Sequence, residues 1–368
     1  MLNTKQMANE NLKAAKKAKN DEFYTQYYDI ELEMKAYLEY NPDVFLDKTV
    51  LCPCDDPEWS NFTLFFVRNF KVLGIKKLIS TSLATDSRRV KGNCATYHIK
   101  TETGEGECAM TNNRGKLFIL DSVFDAVKTV DSHNMNWSYL EGDGDFRSEE
   151  VTRFRDEADI IVTNPPFSLF REFLAWIMSA DKKFVIIGNM NAITYKETFP
   201  LIKGNKIWLG ESIHSGDREF RVPDDYPITA AGWRIDEKGN KYIRVKGVRW
   251  YTNIEHGRRH QPLALMTMKE NIRDSKHKDV KGQAYQHYDN YDAIEIPYTD
   301  AIPSDYEGVM GVPISFLDKY CPEQFEILGI TENNPDLSDL WISGYTKYDR
   351  PYINRKRKYS RLLIRKIQ

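Results

Sequence analysis

Between Tyr27 and Tyr40 the apolar side chains Ile30, Met34, Tyr37 and Leu38 recur at three- and four-residue spacing, which predicts an amphipathic helix stopped by Asn41-Pro42. Lys48–Cys52 reads as a short buried strand. Ser60 is placed to cap a helix that carries Phe62, Phe65, Phe66, Phe70 and Leu73 on one side and ends at Gly74. Lys76–Ser80 follows as a second strand. Strand, helix and strand with short joints form the unit of a parallel sheet, and a right-handed crossover makes the two strands neighbours. The rhythm returns with a strand at Ala158–Thr163, a helix at Ser168–Ser179 and a strand at Lys183–Gly188, all with the apolar runs of strands covered on both faces. The fold class is therefore α/β.

Other stretches break this rhythm. Residues 93–110 alternate polar and apolar positions around Thr103-Gly-Glu-Gly106, predicting a hairpin that projects from the sheet. After Gly204, turn sequences at Pro223-Asp-Asp and Asp236–Asn240 separate short β-prone pieces, Lys241–Val245 and Val248–Thr252. From about Met268 the chain is polar, rich in tyrosine and punctuated by proline. This predicts two domains, 1–267 and 268–368, the second more irregular. Leu12–Lys19 is a Lys/Ala run without an apolar face, a solvated helix or an arm that could meet a polyanion.

At 368 residues, 41% hydrophobic and 29% charged, the chain suits a soluble globular protein of about two domains. Apolar runs such as Phe184–Ile187 fall far short of the roughly 18 residues of a membrane span, and the polar start lacks a signal-peptide core, so cytoplasmic residence and no membrane partner are expected. Five cysteines without paired CxxC spacing argue against a disulfide framework and against a metal site. The net charge of −2 favours no partner, but its distribution is uneven. Thr346–Gln368 holds nine Lys/Arg against one Asp, and Lys241–Gln261 six against one Glu. Such runs make either a basic face or an ordinary solvated surface.

Ligands of an open parallel sheet bind beyond the carboxyl ends of its strands. Those positions hold Cys52-Pro-Cys-Asp-Asp-Pro57, Asn164-Pro165-Pro166-Phe167 and Asn189-Met-Asn191. The second is the strongest signal. Two prolines stiffen the backbone, remove two N–H donors and leave carbonyl oxygens as acceptors. Asn164 adds a side-chain acceptor and Phe167 a flat face, a combination suited to a planar ring bearing an exocyclic amino group. The plainer alternative is a rigid strand-to-helix turn capped by Ser168.

The Asn-Pro-Pro-Phe run resembles that of amino-methyltransferases acting on adenine in DNA. The runs Asp21-Glu-Phe-Tyr-Thr-Gln26, Cys54-Asp-Asp-Pro57 with Ser60-Asn-Phe62, Gly142-Asp-Gly-Asp-Phe-Arg-Ser148, Thr163-Asn-Pro-Pro-Phe-Ser-Leu-Phe170, Val222-Pro-Asp-Asp-Tyr226 and Gly308-Val-Met-Gly-Val-Pro313 resemble the EcoRI-type adenine methyltransferase family, of the gamma motif order, from about residue 14 to 330 and weakly to the end. The resemblance implies a Rossmann-like S-adenosylmethionine-dependent sheet with a C-terminal DNA target-recognition region. It implies methyl transfer to N6 of an adenine flipped out of double-stranded DNA, within the restriction-modification chemistry of the family. Carried over by motif, Phe23, Tyr24 and Thr25 would lie along the cofactor's methionine part, Asp55 or Asp56 would receive its amino group, and Asp145 and Phe146 would hold its adenine. Asn164, Pro165, Pro166 and Phe167 would form the catalytic turn, with Asn164 also beside the cofactor. The chain departs from the pattern in having no glycine in the first loop, and Ser80-Thr-Ser82 stands where an acid usually binds the ribose. Sequence reading would fall to Asn253, Arg258 and Arg259 within Trp250–His260, whose Trp250 and Tyr251 line a base pocket or simply pack in a strand, and phosphate contacts to Arg355, Lys356, Arg357 and Lys358. A methyltransferase for RNA or for protein glutamine, and a catalytically silent DNA-binding relative, remain as alternatives. The oligomeric state is left open.

Overall fold

The computed structural model describes residues 25–84, 99–101, 104–106, 113–123, 125–126, 135–214, 217–222, 232–332, 335–342, 344–346 and 349–367. Two compact units make up the chain, residues 1–192 with 215–254, and residues 193–214 with 255–368. The expected cut at 267/268 thus falls inside the second unit.

The first described helix of this unit is α1 (Tyr27–Tyr40), ended as expected where the Asn41 N–H meets the Tyr37 carbonyl. Strand β1 (Thr49–Cys52) leads to α2 (Asn61–Asn69), where Ser60 Oγ accepts from the N–H groups of Phe62 and Thr63, as an N-cap should. Strand β2 (Lys77–Ser82) returns parallel to β1, with Val50 opposite Leu78. The hairpin expected at 93–110 is described only as β3 (Ile99–Thr101) paired with β4 (Gly104–Gly106), a two-stranded sheet of its own. Next come β5 (Lys116–Leu120) and β6 (Ser138–Tyr139), then α3 (Glu149–Glu157), β7 (Ile160–Thr163), α4 (Phe170–Met178) and β8 (Lys183–Asn189).

The order β6-β5-β2-β1-β7-β8-β13, with β13 at Val248–Thr252, forms the main sheet of this unit. Strands β2, β1, β7 and β8 are parallel, while β5 and β13 run antiparallel beside β2 and β8. From β1 the chain goes outward to β2 on one side and later returns to β7 on the other, so the topological switch lies between β1 and β7. Every residue of β1 and β7 is buried, which explains their unbroken apolar sequence. A separate three-stranded antiparallel sheet is built from β10 (Asp217–Val222), β12 (Lys241–Lys246) and β11 (Arg234–Ile235).

The second unit holds β9 (Trp208–Leu209), helices α5 (Phe199–Lys203) and α6 (Met268–Asp274), and a four-stranded sheet of β14 (Ile294–Glu295), β15 (Met310–Val312), β19 (Leu362–Lys366) and β16 (Phe325–Ile330) in that order. A hairpin of β17 (Tyr352–Ile353) and β18 (Lys356–Arg357) accompanies it. Tyr288, Tyr291, Val309, Leu337, Ile353 and Leu363 pack into one core here, so the tyrosines that suggest irregular texture in the sequence are partly the core itself. Among the described residues no helix is long and apolar enough to cross a membrane.

Candidate active site

The loop after β1 is held from four sides. The Asp55 N–H donates to the Thr81 carbonyl at 2.9 Å, and Ser80 Oγ donates to the Asp55 carbonyl at 2.7 Å. The Asp55 carboxylate accepts from Ser60 Oγ at 2.8 Å and from Thr163 Oγ1 at 2.5 Å. Only 7% of Asp55 is exposed. One buried carboxylate therefore links the cap of α2 to the last residue of β7 across the switch point.

Asp56 turns the other way. It accepts from Lys116 Nζ at 2.9 and 3.1 Å, and Lys116 also bonds Glu58 and lies 4.7 Å from the centre of the Trp137 ring. Burial pulls the Lys116 pKa down, but hydrogen bonds to Glu58 and Asp56 outweigh it and leave the lysine charged above its ordinary range.

A second loop, Asp143–Phe146, crosses the end of β2. The Ala84 N–H donates to the Asp143 carbonyl at 2.7 Å. Gly144 takes φ +80°, and a Cβ there would sit 2.1 Å from the Ser82 carbonyl oxygen, so only glycine permits this crossing. The Asp145 carboxylate accepts from Arg147 Nε at 2.9 Å and Nη2 at 2.6 Å. Phe146 is buried, edge-on to Phe173 and Trp176 at centroid distances of 5.0 and 5.6 Å. These two residues are thus anchored by the protein's own groups.

Asn164–Phe167 leaves the carboxyl end of β7 directly after Thr163. The Leu169 N–H donates to the Pro166 carbonyl at 2.9 Å, opening the one-turn 3-10 helix Phe167–Leu169. Among the described residues the Pro165 carbonyl accepts no hydrogen bond. Ser168 does not cap α4; it lies inside that turn, and Leu169 occupies the cap position. Asn164 and Phe167 are partly exposed, and the Phe167 ring meets Phe220 edge-on at 6.5 Å. On the neighbouring strand the Tyr251 hydroxyl donates to the Asn189 carbonyl at 2.8 Å, while a Cβ on Gly188 would lie 2.4 Å from the Phe170 ring.

Thr25 opens the described chain. Its carbonyl accepts from Asn61 Nδ2 at 2.7 Å, and its buried hydroxyl has no hydrogen-bond partner among the described residues. Phe23 and Tyr24 lie outside them.

The residues expected to read DNA have other partners. Asn253 accepts from the Phe184 N–H at 2.8 Å and donates to the Lys182 carbonyl at 2.9 Å, which clamps the start of β8, the end of the sheet away from Asn164. Trp250 and Tyr251 are fully buried in β13, as strand packing requires. In the second unit Arg258 donates to the Asp318 carbonyl at 3.1 Å and lies 2.7 Å from His214 Nε2. Arg259 is 6% exposed, 4.0 Å above the Trp208 ring and 3.1 Å from Glu255. A packed, paired arginine of this kind holds structure together. Arg355, Lys356, Arg357 and the half-buried Lys358 stand on the β17–β18 hairpin, Arg357 paired with Asp349. Sequence reading missed Lys116, whose partners lie about 60 positions away.

The chain matches the family described as "Adenine-specific methyltransferase EcoRI" over residues 11–367. It is 44% identical to "Type II methyltransferase M.EcoRI" of Escherichia coli over 354 residues, covering 95% of this chain and 97% of that one. "Type II methyltransferase M.MpnI" of Mycoplasma pneumoniae is 31% identical, with 96% of this chain and 97% of the relative covered. "Type II methyltransferase M.MgeORF184P" of Mycoplasma genitalium is 32% identical over 96% and 98%.

Proposed function

Because the chain belongs to the EcoRI family of adenine-specific methyltransferases, we propose that the Asn164–Phe167 turn is where it methylates N6 of an adenine in duplex DNA, with S-adenosylmethionine as donor. The protein is a site-specific adenine methyltransferase; the donor, the extrusion of the base and the role of each residue are our reading. The observation that carries it is the place of Asn164–Phe167 directly after Thr163, at the carboxyl end of β7 and beside the switch point between β1 and β7.

The residues around this turn fit the donor. A buried Thr25 hydroxyl stands without a partner among the described residues, and Asp55, Asp56, Asp143 and Asp145 stand in the loops at the ends of β1 and β2, Asp56 paired with Lys116 and Asp145 with Arg147. Thr25, one of the acids after β1, and Asp145 would hold the donor. When bound, it supplies an electrophilic methyl group. The ordering of the target falls to the protein. A base inside a duplex must be extruded, which costs a few kcal/mol, and Phe167 offers it a stacking face. The adenine amino lone pair is delocalised into the ring. Hydrogen bonds from its N–H groups to Asn164 and the Pro165 carbonyl favour a pyramidal nitrogen with the lone pair free, and the surplus proton leaves to solvent after transfer. Positioning of this kind can supply roughly 7–11 kcal/mol.

Asn164→Ala is expected to lower the single-turnover rate on the order of 10²-fold, as loss of one preorganised hydrogen-bonding group does elsewhere, with DNA affinity nearly intact. Phe167→Ala should instead weaken extrusion by roughly 1–3 kcal/mol, read as lost fluorescence from 2-aminopurine at the target position. Mapping of N6-methyladenine in DNA from cells expressing the protein locates that position. A full single-turnover rate in Asn164→Ala would remove the turn from the chemistry.

A further inference from the structure

The small sheet of β10, β12 and β11 has two unlike faces. Strand register places Phe220 opposite Ile243 and Val222 opposite Lys241, and Phe220, Val222 and Ile243 are buried. Through Phe220 this inner face meets Phe167 of the catalytic turn. The alternate positions point outward: Glu219 lies opposite Arg244, and Arg221, Tyr242 and Arg234 share one row.

That outward row interleaves guanidinium groups with aromatic rings. Arg234 is 4.2 Å from the centre of the Tyr242 ring and is paired with Glu219. Arg221 lies 5.6 Å from the ring centre of Trp59. Trp59 itself is 58% exposed although it stands in the loop between Asp56 and Ser60, at the carboxyl end of β1. Among the described residues neither Arg221 nor Arg244 has an ion pair. Among the described residues Glu219 is the acid of the central rows; it is bound by Arg234 and also faces Arg244 across the strand pair, so the row carries more cations than acids.

We infer that this outward face, carried by Arg221 and Arg244 and by the exposed ring of Trp59, holds the sugar-phosphate backbone of the DNA segment flanking the target adenine. Guanidinium groups bind phosphates irrespective of sequence, and interleaved aromatics are the companion feature of nucleic-acid surfaces. Charge complementarity selects this occupant in a chain whose overall charge is near zero. Six residues of strand span about 20 Å, roughly six base-pair steps, which is enough to follow a backbone beside the extruded base. The inference rests on the function proposed above.

The test is the double variant Arg221→Gln, Arg244→Gln, with Trp59→Ala separately, in the full chain. The probes are a 25-base-pair duplex of arbitrary sequence and the same duplex carrying a site found by methylation mapping. Both duplexes should lose affinity by the same factor, roughly tenfold or more at low salt. The slope of log K against log salt should flatten by about 0.9 for each phosphate that is no longer neutralised. Trp59→Ala should weaken both duplexes alike, by less. An unchanged salt slope in a double variant that melts like the wild type would overturn the inference, as would a loss confined to the duplex carrying the site. If Asn164→Ala is inactive while the slope stays unchanged, only this surface fails. If Asn164→Ala is fully active, the reading of the turn fails.

Discussion

Thr163 donates its hydroxyl to Asp55 at 2.5 Å and immediately precedes Asn164, so the Asp55 carboxylate can act on the turn proposed as the site of methyl transfer without touching a ligand. Hydrogen bonds to a charged partner are worth about 1.5–3 kcal/mol. Thr163→Val is therefore expected to slow single-turnover methyl transfer by roughly ten- to a hundredfold, with S-adenosylmethionine affinity measured by calorimetry nearly unchanged. Thr163→Ser should recover most of the rate. A variant that bound the cofactor poorly but transferred normally would assign Asp55 to the cofactor instead. At this scale the sequence is informative where chemistry is local. The Asn-Pro-Pro-Phe run and the acids after β1 can be picked out because their positions relative to strand ends are set by periodicity. Arg258, Arg259 and Asn253 look like DNA-reading groups because a sequence displays charge and hydrogen-bonding capacity without the partners that consume them. Glu255, four residues before Arg259, is one visible hint. Trp208 and Asn205, about 50 positions away, are not.

Elements with strong periodicity appear close to where the sequence predicts them: α1 spans Tyr27–Tyr40, and β1 and β2 are parallel neighbours joined by α2, which ends at Asn69 rather than at Gly74. Those missed lack that signal. In α3 only Val151 is buried, so no apolar stripe announces the helix. Strand β13 is legible as a β-prone piece, but its place beside β8 depends on pairing between distant segments. The basic C-terminal run is a further case. Within it, Tyr352–Arg357 forms a two-residue hairpin in which Asn354 and Arg355 take φ of +51° and +60°, the geometry of a type I′ turn. Asp289 accepts from both their N–H groups, at 3.2 and 2.7 Å. Because Arg357 is occupied by Asp349, Arg355, Lys356 and Lys358 are the hairpin cations without an ion pair among the described residues, and these three are expected to meet phosphate. Neutralising these three should weaken all DNA sequences alike and flatten the salt slope by up to about 0.9 for each phosphate they had neutralised, while Arg357→Gln should change it less. Equal slopes for the triple variant and the wild type in filter binding would return the hairpin to plain surface.

Across the whole molecule, 52 basic and 54 acidic residues nearly cancel, so affinity for a polyanion depends on where charges stand and which are already neutralised by neighbours. The same accounting governs response to acid. His256 is 3% exposed in the second unit, its Nε2–H donating to the Leu209 carbonyl at 3.0 Å. Burial pushes its pKa down from 6.5 to about 4, and the nearby Arg259, His260 and Arg258 act in the same direction against the Leu209 bond. Glu211, 3.7 Å from Nδ1, would favour the imidazolium, yet desolvation prevails because the ring is buried. The folded pKa lies below the unfolded one, so below pH 6.5 the unfolded chain binds the proton that the folded chain refuses. Stability is therefore complete above about pH 6.5 and declines as pH falls toward 4, by at most about 3 kcal/mol at 1.36 kcal/mol per pKa unit. His256→Gln keeps a donor for the Leu209 carbonyl and removes the titration. Between pH 7 and pH 5 the wild type should lose melting temperature that the variant retains; equal losses in the two proteins would show that the acid sensitivity originates elsewhere.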